Sequence, residues 1–157
     1  MSVTIQKPGK DFDFSSNYKI YMKKCTKCQL ETNNFGPNKK TRDGLKSICR
    51  ICNNNFNKKY RRTKVGLISH IYSKQRSRSR NRGHEMPDYS NAELMEWMLN
   101  KDVFHELFLS WEQGGYNLGK VPSCDRLDDN QGYRLDNMRV VTWEENDRKG
   151  HESRKKN

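Results

Sequence analysis

Four of the five cysteines fall in two pairs, Cys25 and Cys28 in "CTKC" and Cys49 and Cys52 in "CRIC", with twenty residues between the pairs. Nothing else in the 157-residue chain limits the fold so strongly. Only 32% of the residues are hydrophobic and another 32% are charged, too thin a supply of apolar side chains for one large core. Small cores ordinarily need a staple, either disulfides or a metal. No apolar run is long enough to span a bilayer. The opening "MSVTIQKPGKDFDFSSNYK" lacks the charged-then-apolar pattern of a secretory signal. A cytoplasmic protein with reduced cysteines is therefore expected. In that setting two CxxC pairs read as a closed tetrahedral set of thiolates around a structural Zn²⁺. Two disulfides, or unrelated cysteines, are the alternative. Cys124 stands alone and is expected to fill space in a strand.

Between the pairs, "NFGPNKKTRDGLKS" carries turn chemistry at Gly36-Pro37 and Asp43-Gly44, which predicts a hairpin or loop. After the second pair, "NNNFNKKYRR" predicts a helix. A knuckle, a hairpin and a second knuckle opening a helix are similar to treble-clef and zinc-ribbon modules. Residues 18–62, from Tyr18, resemble the zinc modules found ahead of phage nucleases.

Residues 53–82 hold ten Lys or Arg and no Asp or Glu, in a chain of net charge +12. Leu67, Ile68, Ile71 and Tyr72 recur at helical spacing, so part of this run is expected to be a helix with one apolar stripe. Its remaining surface, with Lys58, Lys59, Arg61, Arg62, Lys74, Arg76, Arg78, Arg80 and Arg82, suits a phosphate backbone, because neutralising phosphates releases counterions. An anionic membrane ranks below nucleic acid as the partner, since the apolar stripe is short and no second anchor is present. No membrane attachment is expected.

The following segment carries acids and most of the large apolar residues. Ser90 and Glu93 form a capping-box pattern and predict a helix start, with Leu94, Trp97 and Met98 on one face. Asn100 or Asp102 can cap a second helix whose apolar face is Val103, Phe104, Leu107, Phe108 and Trp111. Gly114-Gly115 stops it. These side chains read as core packed on the C-terminal stretch.

That stretch, "PSCDRLDDNQGYRLDNMRVVTWEENDRKG", gathers Asp125, Asp128 and Asp129 in a strongly basic chain. "SCDRL" and "MRVVTW" read as strands around a loop, and "EENDRK" as the start of a short helix. Asn137 lies twelve residues after Asp125, and Asn146 nine further. The pattern of Asp125-Arg126, Gly132-Tyr133, Asp136-Asn137, "VVTW", Asn146 and Lys149-Gly150 resembles the HNH (ββα-metal) homing and nicking endonucleases of bacteriophages. The resemblance covers residues 121–150 and, with the cysteine module, extends loosely over most of the chain.

The resemblance implies an α+β chain: a Cys₄ zinc module over residues 1–62, a basic helical linker over 63–83, an HNH-like domain over 84–150 with its C-terminal ββα-metal finger, and a basic tail, 151–157, expected to be disordered. It implies metal-dependent hydrolysis of phosphodiester bonds in duplex DNA. Asp125 and Asn146 are then the oxygen ligands of a catalytic Mg²⁺ or Mn²⁺, and Asn137 fixes the loop by hydrogen bonding. Oxygen donors suit such hard cations better than zinc. Asp128 and Asp129 are equally well read as turn residues. One position departs from the family pattern: Arg126 stands where the general-base histidine is usual. Arginine keeps its proton and cannot be that base, but its planar fork suits phosphate. The base must then come from elsewhere. His84, in a loop beside the basic run, is the preferred candidate over His105, which reads as packing, and hydroxide from solvent is the other source. The Arg126 departure also leaves open a non-catalytic zinc-module DNA-binding protein with a degenerate HNH motif. Tyr60, Tyr72 and Phe56 beside the basic residues would equally suit stacking on RNA.

Overall fold

The structure, a computed structural model, describes residues 22–155. Tyr18, where the cysteine module was expected to begin, the rest of the first 21 residues, and the last two residues of the tail lie outside the described residues. The chain divides into two compact units between Asn54 and Asn55. It is α+β, with five α-helices and three two-stranded antiparallel sheets among the described residues.

In the first unit, β1 (Lys23–Lys24) pairs with β2 (Glu31–Thr32), and β3 (Phe35–Pro37) pairs with β4 (Leu45–Cys49). Asp43-Gly44 forms the expected turn, with Gly44 at φ 71°, a left-handed position that glycine adopts without a Cβ penalty. Gly36-Pro37 does not turn the chain. It ends β3, where the register shifts between Phe35 and Pro37, the kind of irregular edge position that tolerates a residue without an N–H. Phe35 is buried with Cys25, Cys49 and Cys52, and Leu45 and Ile48 pack against them. Helix α1 (Arg50–Arg61) follows β4 directly.

The second unit contains α2 (Lys64–Arg82), α3 (Asn91–Leu99), α4 (Asp102–Gln113), β5 (Pro122–Arg126), β6 (Met138–Thr142) and α5 (Trp143–Lys155). Strands β5 and β6 are antiparallel, with Asp125 opposite Arg139. Thr63 caps α2 through its side chain, and Gly83 at φ 67° ends it. The capping box at Ser90 and Glu93 forms as expected. Asn100 closes α3, while α4 begins after Lys101 without a side-chain cap.

Helix α2 is not a linker. Leu67 and Ile68 are buried in one core with Leu94, Met98, Phe104 and Trp111, and Ile71 and Tyr72 pack against it. Its buried face continues through Gln75 and Ser79. Gln75 accepts a 2.9 Å bond from Tyr89 Oη and donates to Met138 Sδ at 3.3 Å, so a polar side chain prolongs a stripe that hydrophobicity alone ends too soon. Val103, expected in the apolar face of α4, is 41% exposed, whereas Phe104, Phe108 and Trp111 are buried. Cys124 fills space as expected, and burial pushes its thiol up to about 12. The expected disordered tail is instead the end of α5 through Lys155, with Asp147 and His151 paired one turn apart at 3.4 Å. Acidic Glu144 and Glu145 in its first turn complement the helix dipole.

Gly66 sits where α2 starts against the end of α1. A Cβ there would lie 1.9 Å from the Tyr60 carbonyl oxygen, a backbone atom that cannot swing aside. Alanine gains about 1 kcal/mol of helix propensity, but overpacking of this kind costs about 1–3 kcal/mol or more. Gly66→Ala is therefore expected to lower the midpoint of denaturant unfolding, despite the better helix former. An unchanged or raised midpoint would show that the joint has room.

Candidate metal centre and catalytic cavity

The turn between β1 and β2 carries Cys25 and Cys28. Its N–H groups curl inward, with Gln29 N–H donating to the Cys25 carbonyl at 2.9 Å. Gln29 takes φ 61°, which closes the turn. Cys49 ends β4 and Cys52 lies in the first turn of α1. All five cysteines are free thiols. The ligand atoms of Cys25, Cys28, Cys49 and Cys52 lie within 4.8 Å of one another. Zinc–sulfur bonds of about 2.3 Å in a tetrahedron place sulfurs about 3.8 Å apart, and Cys28 Sγ and Cys49 Sγ are separated by 3.9 Å.

Backbone donors point at the sulfurs. Cys49 N–H lies 3.3 Å and Lys27 N–H 3.4 Å from Cys25 Sγ, and Cys52 N–H lies 3.4 Å from Cys49 Sγ. Hydrogen bonds from the backbone N–H groups of Cys28 and Cys49 pull the Cys25 thiol down to about 6. Burial, with the neighbouring sulfurs, pushes Cys52 up to about 12. Backbone hydrogen bonds thus favour a thiolate in the cluster, while burial and crowding of sulfurs oppose one. The four cysteines are positioned to hold a metal ion, and a soft, closed, four-sulfur set suits zinc.

The second constellation lies on β5, β6 and α5. Asp125, Arg126 and Asn146 line one cavity of about 470 Å³, together with Asp129, Tyr133 and Lys149. Arg78 and Arg82 of α2 line it as well. Asp125 is only 4% exposed. Arg139 donates Nε and Nη2 to its Oδ2, both at 3.1 Å, and Lys149 Nζ donates to Oδ1 at 3.2 Å. Lys149 also donates to the Arg126 carbonyl. Asn146 donates Nδ2 to Ser123 Oγ at 3.0 Å and to the Cys124 carbonyl at 2.9 Å, so its remaining acceptor is Oδ1. Asp125 and Asn146 thus stand among the residues lining one cavity, each with side-chain oxygen. Mg²⁺ keeps several waters and needs only one or two protein carboxylates, so this sparse set fits it chemically. Among the described residues, the cysteine cluster is the sole group of three or more His, Cys, Asp or Glu close enough to hold a metal.

Asn137 is buried and ties the loop together. Its Oδ1 accepts from Asp128 N–H at 2.9 Å, and its Nδ2 donates to the carbonyls of Asp128 and Gly132 at 3.1 and 3.2 Å. Asp128 turns the loop through Asn130 N–H and Gln131 Nε2, both at 2.9 Å, and the Asn130 N–H holds its carboxyl below the usual range. Arg126 donates Nη1 to the Gln131 carbonyl at 2.8 Å and lies over the Tyr133 ring. It braces the loop from the cavity wall.

No histidine lines this cavity. His84 is exposed just beyond the end of α2 and is not brought to it. His105 is held between Lys64 Nζ at 2.6 Å and the Leu99 carbonyl at 2.7 Å, in keeping with packing. Of the basic residues, Lys58, Lys59, Arg61, Lys74, Arg76 and Arg80 are exposed, and Arg62 stacks on Tyr116 at 4.1 Å. Arg139 and Lys149 were missed as site residues in the sequence. Lys149 lies three residues after Asn146, hence on the same helix face. Arg139 is identifiable only once the hairpin register sets it opposite Asp125. Compared with known proteins, the chain matches no family model, no curated protein and no solved structure.

Two measurements follow. Elemental analysis is expected to find about one zinc per chain. Structural zinc contributes on the order of 10 kcal/mol of folding free energy, so Cys49→Ser is expected to unfold the first unit. Because binding displaces thiol protons, zinc affinity is expected to fall as pH falls and to rise with pH. Zinc-free protein with intact proteolytic protection of that unit would remove the metal from the account. Asn137→Ala leaves the Asp128 N–H without its acceptor in a buried loop, at a cost of about 1–3 kcal/mol. Hydrogen exchange is expected to quicken at Asp128, whereas unchanged exchange would assign the loop's order to other contacts.

Proposed function

We propose that the protein is a metal-dependent endonuclease of the HNH type, acting on duplex DNA, with a structural zinc module. The carrying observation is the convergence of Asp125, Arg126 and Asn146 on one cavity that Arg78 and Arg82 of the basic helix also line. Phosphodiester hydrolysis needs a phosphate gripped, its charge relieved and a water able to attack. Arg78 and Arg82 supply sequence-independent phosphate contacts beside the reacting position. Arg126 presents its fork while its other contacts keep it from swinging away. Asn137 fixes the loop between β5 and β6, and Asn146 is anchored to β5 so that its oxygen is held in place. A Mg²⁺ or Mn²⁺ held by Asp125 and Asn146 would, when bound, relieve charge on the phosphate and stabilise the leaving oxygen. The attacking water loses its proton to solvent through the open cavity, since no histidine lines it. The strand–strand–helix order of β5, β6 and α5 supports the ββα-metal reading, and the knuckle–hairpin–knuckle–helix order of the first unit supports a treble-clef-like or zinc-ribbon-like module.

A second reading, a DNA-binding protein without catalysis, is favoured by one observation: both Asp125 oxygens are already bonded to Arg139 and Lys149. Incubation with supercoiled plasmid and Mg²⁺ or Mn²⁺ separates the two.

The wild-type chain is expected to nick or linearise the plasmid in a metal-dependent way. Asp125→Asn keeps the side-chain volume and is expected to abolish cleavage with duplex affinity retained. Intact cleavage by this variant would sink the nuclease mechanism, and a wild-type chain that binds without cutting would establish the second reading. Loss of a true general base lowers a rate by about 10²–10⁴; His84→Ala is expected to fall well short of that. Replacing exposed Arg76 and Arg80 with Ala is expected to reduce the slope of log affinity against log salt by about 0.9 per lost phosphate contact. An unchanged slope in a salt titration would make that face merely solvated.

A further inference from the structure

A second cavity, of about 360 Å³, opens beside the first. The two are neighbours, since Arg78, Cys124 and Tyr133 line both. Its volume falls within the range of small-molecule sites, about 300–1,000 Å³. Its lining is amphipathic in a particular way. Leu118, which is 67% exposed, and half-buried Trp143 offer apolar surface, backed by buried Trp111. Arg61, Lys74 and Arg78 line it too, and no Asp or Glu does. Leu118 and Trp143 thus form apolar walls beside a cationic edge.

We propose that this cleft receives one unstacked nucleobase of the bound strand, its sugar-phosphate lying along Arg78 toward the Asp125 cavity. The proposal rests on the nucleic-acid reading above and names what the substrate must present. A flat, apolar ring with an attached phosphate matches apolar walls joined to a cationic edge. Stacking on an aromatic side chain is tolerant of base identity, while the cationic side chains track the backbone. His70 also lines the cleft, and burial, and then the charges of Arg61 and Lys74, hold its imidazole below its ordinary value, which favours the neutral ring with one donor and one acceptor. The shared Arg78 places the held base next to the phosphate in the first cavity. An acidic, apolar peptide would satisfy the same walls, but it would have no use for the adjoining phosphate-binding residues.

The test uses the full chain with no added Mg²⁺ or Mn²⁺ and two short labelled DNA duplexes. They are identical except that one carries a single extra, unpaired adenine at its centre. Fluorescence anisotropy is expected to show the bulged duplex bound about tenfold more tightly or better, the scale of one base–aromatic stack. Leu118→Glu places a carboxylate at the cleft without touching the core. It is expected to remove the preference while leaving affinity for the paired duplex within about threefold, one surface charge having only a small effect on backbone binding. Equal wild-type affinity for the two duplexes overturns the inference alone, as does a preference that survives Leu118→Glu. Failure to bind either duplex overturns it together with the nucleic-acid reading.

Discussion

Asp125 is a carboxylate almost wholly withdrawn from water, and three elements meet on it. It projects from β5, takes two bonds from Arg139 directly opposite on β6, and takes another from Lys149 on α5. An unpaired buried carboxylate would be severely penalised, so Asp125 depends on its two part-exposed cations. The hairpin and the helix therefore cannot drift apart without exposing an uncompensated charge. Lys149 reinforces the joint by bonding the Arg126 carbonyl, and Arg139 extends it to Glu145 at 3.4 Å. The same carboxylate lines the cavity that gathers the candidate catalytic residues. Structure and proposed chemistry call on the same two oxygens, both already bonded to Arg139 and Lys149.

The thin supply of apolar residues explains how the rest is arranged. In the first unit three of the four buried core residues are cysteines, with Phe35 the fourth. So small a core cannot hold short strands by hydrophobic burial alone, and the four sulfurs beside it are positioned to hold a metal ion. The second unit concentrates its apolar residues on helices α2, α3 and α4 and on the inner face of the β5–β6 hairpin. Aromatic rings run there from Phe104, tilted against Phe108, through edge contacts of Phe108 with Trp111 and Trp111 with Tyr116. Helix α2 contributes one face to that core and leaves its arginines outside, so a single helix both closes the unit and lines its two cavities.

Much of this was legible in the chain. The two CxxC pairs determined the metal-ligand set, because spacing and thiol chemistry together admit few other uses. The capping box at Ser90, the Asp43-Gly44 turn, the apolar periodicity of α3 and α4, and the two strands around the acidic loop were all local signals. They are set by neighbours within a few residues. The lack of acids in residues 53–82 likewise gave the sign of the α2 surface.

The tertiary structure decided what depends on partners distant in sequence. Gln75 is buried because Tyr89 and Met138 meet it, and nothing in a polar side chain announces that. Residues 63–83 form part of a core rather than a linker because their short apolar stripe finds α3, as only packing can reveal. Residues 151–155 of the tail are helical because α5 continues through them. Arg139 and Lys149 became site residues only when register and helix placement brought both cations onto Asp125, while α2 reaches the cavity through Arg78 and Arg82 and His84, beyond its end, does not line it. The sequence determined which residue types could do the chemistry; the fold decided which of them share a wall, because short-range charge and hydrogen bonding act only between atoms that packing has already brought together.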